Sequence, residues 1–259
     1  MAVHHITTSG TIENASIVML SAKELLTQQL TLAAQNLSNA DTIGFKGLIQ
    51  TGLEAVYRNP KLGGLSPAIS YVQGSEVKRD IGQGSLKPTG DVYNLALNGL
   101  GYFVVQVGEL KQFTRDGRFR LDKSGNLVTM DGYAVQGESG ELNFADYATF
   151  SVLRDGTVLG FDANGIQTIA GKLKVSRFKD EQEDLEYVGT GRFIALGEES
   201  PIDGTTHVTQ GFLEQANVNP IAESIRLMRV MQMYGEAQRV IEMDDSTKSR
   251  TIHLRITSA

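Results

Sequence analysis

Tyr102-Phe103-Val104-Val105-Gln106-Val107 is a run of β-branched and aromatic residues, and the turn residues spaced beyond it decide the fold. Asp116-Gly117, Ser124-Gly125, Asp131-Gly132 and Ser139-Gly140 come after it at short, regular intervals. A small polar residue before glycine favours a tight turn, and turns spaced by one strand's length read as antiparallel hairpins. Asp155-Gly156 and Asn164-Gly165 flank Val158-Leu159-Gly160-Phe161, and Gly171 to Phe178 alternates as a strand does. A β-rich central domain is therefore expected over residues 75–212. Residues 46–74, with Pro60, Gly63-Gly64 and Pro67, read as an extended connector.

On both sides of this body the periodicity changes. From Asn14 to Ala40 the chain has no glycine or proline, and Met19, Ala22, Leu26, Leu30, Ala33, Leu37 and Ala40 recur at steps of three and four. That spacing predicts a helix with one narrow apolar stripe. Asp41-Thr42-Ile43-Gly44-Phe45 ends it, with glycine available for the left-handed turn that closes many helices. Near the other end, Asn219-Pro220 supplies a cap and a first-turn proline. The helix predicted from there to Met243 carries a broad apolar face that includes Ile221, Ile225, Met228, Val230, Met231, Tyr234 and Ile241. After Met243, the alternation Ile252, Leu254, Ile256 fits a helical extension or a short strand. The assembly segments are set at 1–45 and 213–259. The expected class is α+β: an antiparallel all-β body with long terminal helices that pair and pack in an axial assembly.

Composition narrows the function. The 259 residues include no cysteine, which excludes thiol nucleophiles, disulfides and cysteine-ligated zinc. A formal charge of −6 without a basic run argues against nucleic acid. No stretch has the length and apolarity of a membrane span or a cleaved secretion signal. His4, His5, His207 and His253 lack metal-ligand spacing, so no metal site is expected. Ser75-x-x-Lys78 matches a serine–lysine hydrolase motif, and Lys87-Pro88-Thr89-Gly90 nearly matches its partner, but proline breaks the second and four-residue patterns recur by chance. Gly82-Gln83-Gly84 and Gly99-Leu100-Gly101 lack the third glycine and following helix of a phosphate loop and read as hairpin turns. Glu181, Glu183, Asp184 and Glu186 form an acidic cluster without calcium-loop spacing, which reads as a solvated loop. No catalytic residue, cofactor or metal is expected.

A β body with two helices whose apolar faces exceed what the pair can bury fits a self-assembling or co-assembling subunit. A β-sandwich binding protein or a serine hydrolase are the alternatives.

Three stretches are specific enough to compare with a known family. Leu32-Ala33-Ala34-Gln35-Asn36-Leu37-Ser38-Asn39-Ala40-Asp41-Thr42-Ile43-Gly44-Phe45-Lys46 resembles the N-terminal signature of the flagellar axial proteins, the rod, hook and hook-associated subunits. Gln210-Gly211-Phe212-Leu213-Glu214-Gln215-Ala216-Asn217-Val218-Asn219 is similar to the segment that leads into the last helix of that family, with Ala216 where serine is usual. Gly84 to Val105 and Phe113 to Phe119 resemble its β-domain, and this separates the rod and hook types from flagellin. Within the family, the length, single β body and short connector look most like a proximal-rod subunit, with a distal-rod subunit as the second reading. Ile43 stands where proline is common, and Met1 to Thr11 runs ahead of the usual start.

The resemblance implies a non-enzymatic structural subunit of the flagellar basal body, partnered by itself and by other rod subunits. It implies export by the flagellar type III apparatus without a cleaved signal, and terminal helices lining a tube whose repeated contacts do not close on themselves. The interface expected from it comprises Met19, Leu26, Leu30 and Leu37 with Ile225, Met228, Met231, Tyr234 and Ile241. Asn36, Asn39 and Asn217 would satisfy polar groups at helix ends, and Gly44 and Phe45 belong to the same signature.

Overall fold

In the computed structural model, residues 9–57, 69–181, 183–201 and 204–257 are described. Helix α1 spans Ser9–Ser38, and strands β1 (Leu48–Tyr57) and β2 (Ile69–Arg79) come next. The chain continues through β3 (Leu86–Pro88), β4 (Leu95–Asn98), β5 (Tyr102–Val107), β6 (Leu110–Thr114), β7 (Phe119–Leu121), β8 (Leu127–Thr129) and β9 (Ala134–Gly137). After these are β10 (Gly140–Glu141), β11 (Thr149–Val152), β12 (Thr157–Phe161), β13 (Gln167–Lys172) and β14 (Val175–Arg177). The last strands are β15 (Leu185–Gly189), β16 (Arg192–Ala195), β17 (Ser200–Pro201), β18 (His207–Gln210) and β19 (Phe212–Glu214), before helix α2 at Pro220–Thr257.

These elements divide into two units. One holds the two helices with the paired strands β1 and β2; the other comprises Ser38–Gly47 and Arg79–Val218. The largest sheet of the second unit runs β15-β16-β6-β5-β9-β8-β7, with β10 beside β9, β14 beside β5 and β17 beside β14. Three smaller sheets accompany it: β11-β12-β13, β18-β4 and β19-β3. The pairings in this unit are antiparallel, as in β5 and β6, where Val104 faces Phe113 and Val105 faces Gln112.

Side chains alternate across a strand, so β5 serves two cores at once. Phe103 and Val105 enter a cluster with Leu95, Leu97, Phe119 and Leu127. Tyr102 and Val104 enter a second cluster with Phe113, Phe178 and Phe193. Edge-to-face rings tie each cluster: Phe103 with Phe119 at 5.2 Å and Phe113 with Phe178 at 4.9 Å. The hairpins turn on residues suited to it. At Asp162-Ala163-Asn164-Gly165, the Asp162 carboxylate accepts the amides of Asn164 and Ile166, and Gly165 takes φ +79°.

The expected fold class needs correction. The described residues hold two helices against a body of antiparallel strands, and the helices do not form the pair that was expected. Their contacts include a polar one, from Lys23 Nζ to Gln238 Oε1 at 2.8 Å, with the same ammonium 5.6 Å from the Tyr234 ring centre. The apolar face of α2 is not consumed. Leu227, Val230, Tyr234, Ala237 and Ile241 form an inner stripe that is buried or half-buried. Ile221, Ile225 and Met228 lie on the opposite side of the helix and are exposed, with Met231 exposed beside them. A helix with apolar residues on opposite faces cannot bury both against one partner, which is why pairing within the chain falls short. The mixture of helices with an antiparallel β body still stands.

Candidate functional site: buried ion group and exposed helix face

The most concentrated polar chemistry of the second unit is buried where three distant segments meet. Lys46 follows Phe45, Arg115 follows the end of β6, and Glu214 ends β19. Glu214 Oε1 accepts Lys46 Nζ at 2.8 Å, and Oε2 accepts Arg115 Nη1 at 3.0 Å, with all three side chains no more than 2% exposed. Lys46 also donates to the Gly82 carbonyl at 2.8 Å, the Gly84 amide donates to Glu214 Oε1 at 3.0 Å, and Arg115 Nη2 donates to the Gly99 carbonyl at 2.9 Å. Burial holds the Lys46 ammonium below its ordinary pKa, and the Glu214 carboxylate partly offsets this. The Arg115 guanidinium lies 5.2 Å from the Tyr102 ring centre. Burial, followed by the Glu181 carboxylate that accepts the Tyr102 hydroxyl at 2.5 Å, pushes the Tyr102 phenol well above its usual range.

Gly82-Gln83-Gly84, expected as a hairpin turn, is thus part of the cradle of this ion group. A Cβ on Gly84 would lie 1.8 Å from the Gln215 carbonyl oxygen, so only glycine lets the two backbones approach. Gly44 is held as tightly: it sits at φ +69°, its amide donates to the Glu214 carbonyl at 2.8 Å, and a Cβ there would meet the Arg115 backbone at 2.6 Å.

The expected interface residues divide among different settings. Gly44, Phe45 and Asn217 come together beside the ion group, with the Asn217 amide donating to the Phe45 carbonyl at 3.3 Å. Asn217 Oδ1 also accepts the Gly47 amide at 2.7 Å. Asn36 is buried in the helical unit, where it donates to the Leu48 carbonyl and accepts the Leu48 amide, at 2.9 and 2.7 Å. Asn39 accepts the Thr42 hydroxyl at 3.3 Å. Leu26, Leu30 and Leu37 are half-buried on α1, as are Tyr234 and Ile241 on α2, whereas Ile225, Met228 and Met231 are exposed. The side chain of Met19 lies outside the described residues.

Sequence reading missed Lys46, Arg115 and Glu214 as a group. The signal that was available is one charged residue placed directly after an apolar or β-rich stretch in each of the three signature segments.

The motifs weighed for catalysis do not assemble a site among the described residues. Lys78 pairs with Glu76 at 3.3 Å, and the side chain of Ser75 lies outside the described residues, as do His4 and His5. A cleft of about 280 Å³ is lined by His207, Asp155, Glu138 and Thr206 among others, and the Thr206 hydroxyl donates to the Leu100 carbonyl. Among the described residues there is no group of three potential metal ligands and no helix long and apolar enough to cross a membrane.

Residues 96–160 match the flagellar hook protein FlgE/F/G D1 domain, and residues 209–254 match the C-terminal domain of the flagellar basal body rod FlgEFG proteins. The chain is 31% identical to the flagellar basal-body rod protein FlgF of Caulobacter vibrioides, over 91% of this chain and 94% of that one. It is 29% identical to the FlgF protein of Rhizobium meliloti, over 91% and 95%. Against the flagellar basal-body rod protein FlgG of Bacillus subtilis it is 28% identical, over 88% and 93%. A likeness that runs through the β body and α2 at nearly full length shows that the chain belongs to the flagellar basal-body rod protein family.

Proposed function

We propose that this chain is a non-enzymatic structural subunit of the flagellar rod, in the proximal position that likeness to FlgF implies. In this role it polymerises with copies of itself and with other rod subunits and passes torque from motor to hook. The observation that carries the reading is the outer face of α2, where Ile221, Ile225, Met228 and Met231 stand exposed on a helix whose opposite stripe is already covered. Each such side chain is worth about 1.5–3 kcal/mol when fully buried, so a neighbouring subunit that covers the face gains a substantial driving force. Methionine adapts its shape to the surface it meets, which suits contacts that are repeated around a helical tube. The ends of the chain, 1–45 and 213–259, assemble, residues 46–74 connect, and the 75–212 body faces outward. Delivery is by the flagellar type III apparatus, with no N-terminal signal removed.

Complementation tests this. In a strain that lacks its own copy of the subunit, the wild-type chain restores rods, whereas Met231→Asp or Leu30→Asp leaves the β unit folded and builds none. Rods assembled normally from either variant would remove these helices from the interface. A distal position is the second reading, supported by the likeness to the Bacillus subtilis FlgG protein. Crosslinking within isolated basal bodies names the neighbours and separates the two.

A further inference from the structure

The β unit is joined covalently to the rest of the chain at four places, and three of them, after Gly47, before Arg79 and after Val218, converge on one side chain. Asn217 Oδ1 accepts the Gly47 amide at 2.7 Å, and its Nδ2 donates to the carbonyls of Asp80 and Gly82 at 2.8 and 2.9 Å. The passages also bond one another, since the Asp80 amide donates to the Gly47 carbonyl at 2.7 Å. Close to them in the chain is the ion group, in which Lys46 immediately precedes Gly47, Glu214 lies four residues before Val218, and Arg115 joins them to the end of β6.

A buried ion group is an inefficient way to gain stability, because well-packed apolar residues of the same volume often do as well or better. What charged and amide groups add is direction. An apolar contact slides at little cost, whereas a planar amide bonded to three backbone groups, and a carboxylate bonded to two cations, hold their partners at defined angles. Bonds loaded side by side must also break together.

We infer that Asn217, backed by Lys46, Glu214 and Arg115, is a mechanical clamp. Force arriving along any one of the three chain passages is shared with the other two and passed through Arg115 into the β5–β6 sheet. The clamp rests on the reading of this chain as a rod subunit only for its purpose, which is to carry torque. Its existence is a property of the single chain.

The test uses the full-length protein, whose lack of cysteine allows pulling handles at two introduced thiols, Ile49→Cys and Leu196→Cys, both at exposed positions. In optical-tweezer extension, Asn217→Ala is expected to lower the force that frees the segment at Gly47 to about half, since it removes three parallel bonds. Asn217→Asp keeps the acceptor and loses both donated bonds, so it should fall between. Val135→Ala, a cavity in the fully buried core away from the clamp, serves as the control. The clamp predicts a force loss in the Asn217 variants larger than in a control that lowers the melting temperature equally. Equal force loss at equal melting temperature, or wild-type force in either Asn217 variant, would overturn it. Failure of the wild-type chain to restore rods in a strain lacking its own subunit would sink the rod reading and leave the force result standing.

Discussion

Strand β5 and the first half of α2 both carry large apolar side chains, yet these meet opposite fates. Tyr102, Phe103, Val104 and Val105 are each 2% exposed or less, whereas Ile221, Ile225, Met228 and Met231 are exposed by 71, 50, 57 and 58%. A central strand presents two faces to two layers, and this chain supplies both, one around Phe119 and Leu127 and one around Phe178 and Phe193. A helix presents its surface all round, and the chain covers one stripe. The β unit is complete within one chain. The outer face of α2 is left exposed by its own chain.

Substitutions can break or sharpen that contrast, and the largest effects belong to the β unit. Phe103→Ala should cost about 3–5 kcal/mol, read as a lowered denaturant midpoint, because it leaves a cavity in a core with little room to collapse. An effect under about 1 kcal/mol would mean that β5 is not the shared wall of two cores. Glu214→Ala is expected to cost about 3–5 kcal/mol as well, since it strands Lys46 and Arg115 as uncompensated buried cations. It should also move the Lys46 pKa further below its ordinary value. Burial already lowers it, and the opposing carboxylate would be gone, so amine titration by NMR should show the proton leaving at less alkaline pH.

Effects at the start of α2 are smaller. Asn219 Oδ1 accepts the amides of Ile221 and Ala222 at 3.0 and 3.2 Å, so Asn219→Ala should cost the helix about 1 kcal/mol. The loss would appear as faster amide exchange in its first turn, with the β unit unaffected. Smallest of all is Met228→Ser, expected within about 0.5 kcal/mol in the isolated chain, because an exposed side chain loses little on replacement. The same variant should lower rod number in cells. If it destabilised the monomer by several kcal/mol, the outer face of α2 would be packed within the chain and the contrast would fail.

Some of this was legible in the sequence because the physics is local. The turn signalled by Asn164-Gly165 is set within four positions, where the Asp162 carboxylate accepts the following amides, and the strand at Tyr102 to Val107 declares itself by composition. The start of α2 was legible for the same reason, as Asn219 caps its own next residues. Gly117 shows the limit. It reads as one more turn glycine, but a Cβ there would lie 1.6 Å from the Leu95 carbonyl oxygen, a close approach between segments that no local pattern encodes.

The same distinction separates the two halves of the candidate site. The apolar steps of α2 could be counted along the chain, although counting could not tell which stripe would be covered. Charge, turn chemistry and periodicity together determined a hairpin-rich body flanked by helices, because each depends on neighbours a few residues apart. The tertiary structure alone decided that Lys46, Arg115 and Glu214 share one dry site, that Asn217 joins three passages of the chain, and that the outer face of α2 remains uncovered. Those outcomes depend on which distant segments meet, and burial then sets the strength of every charge and hydrogen bond among them.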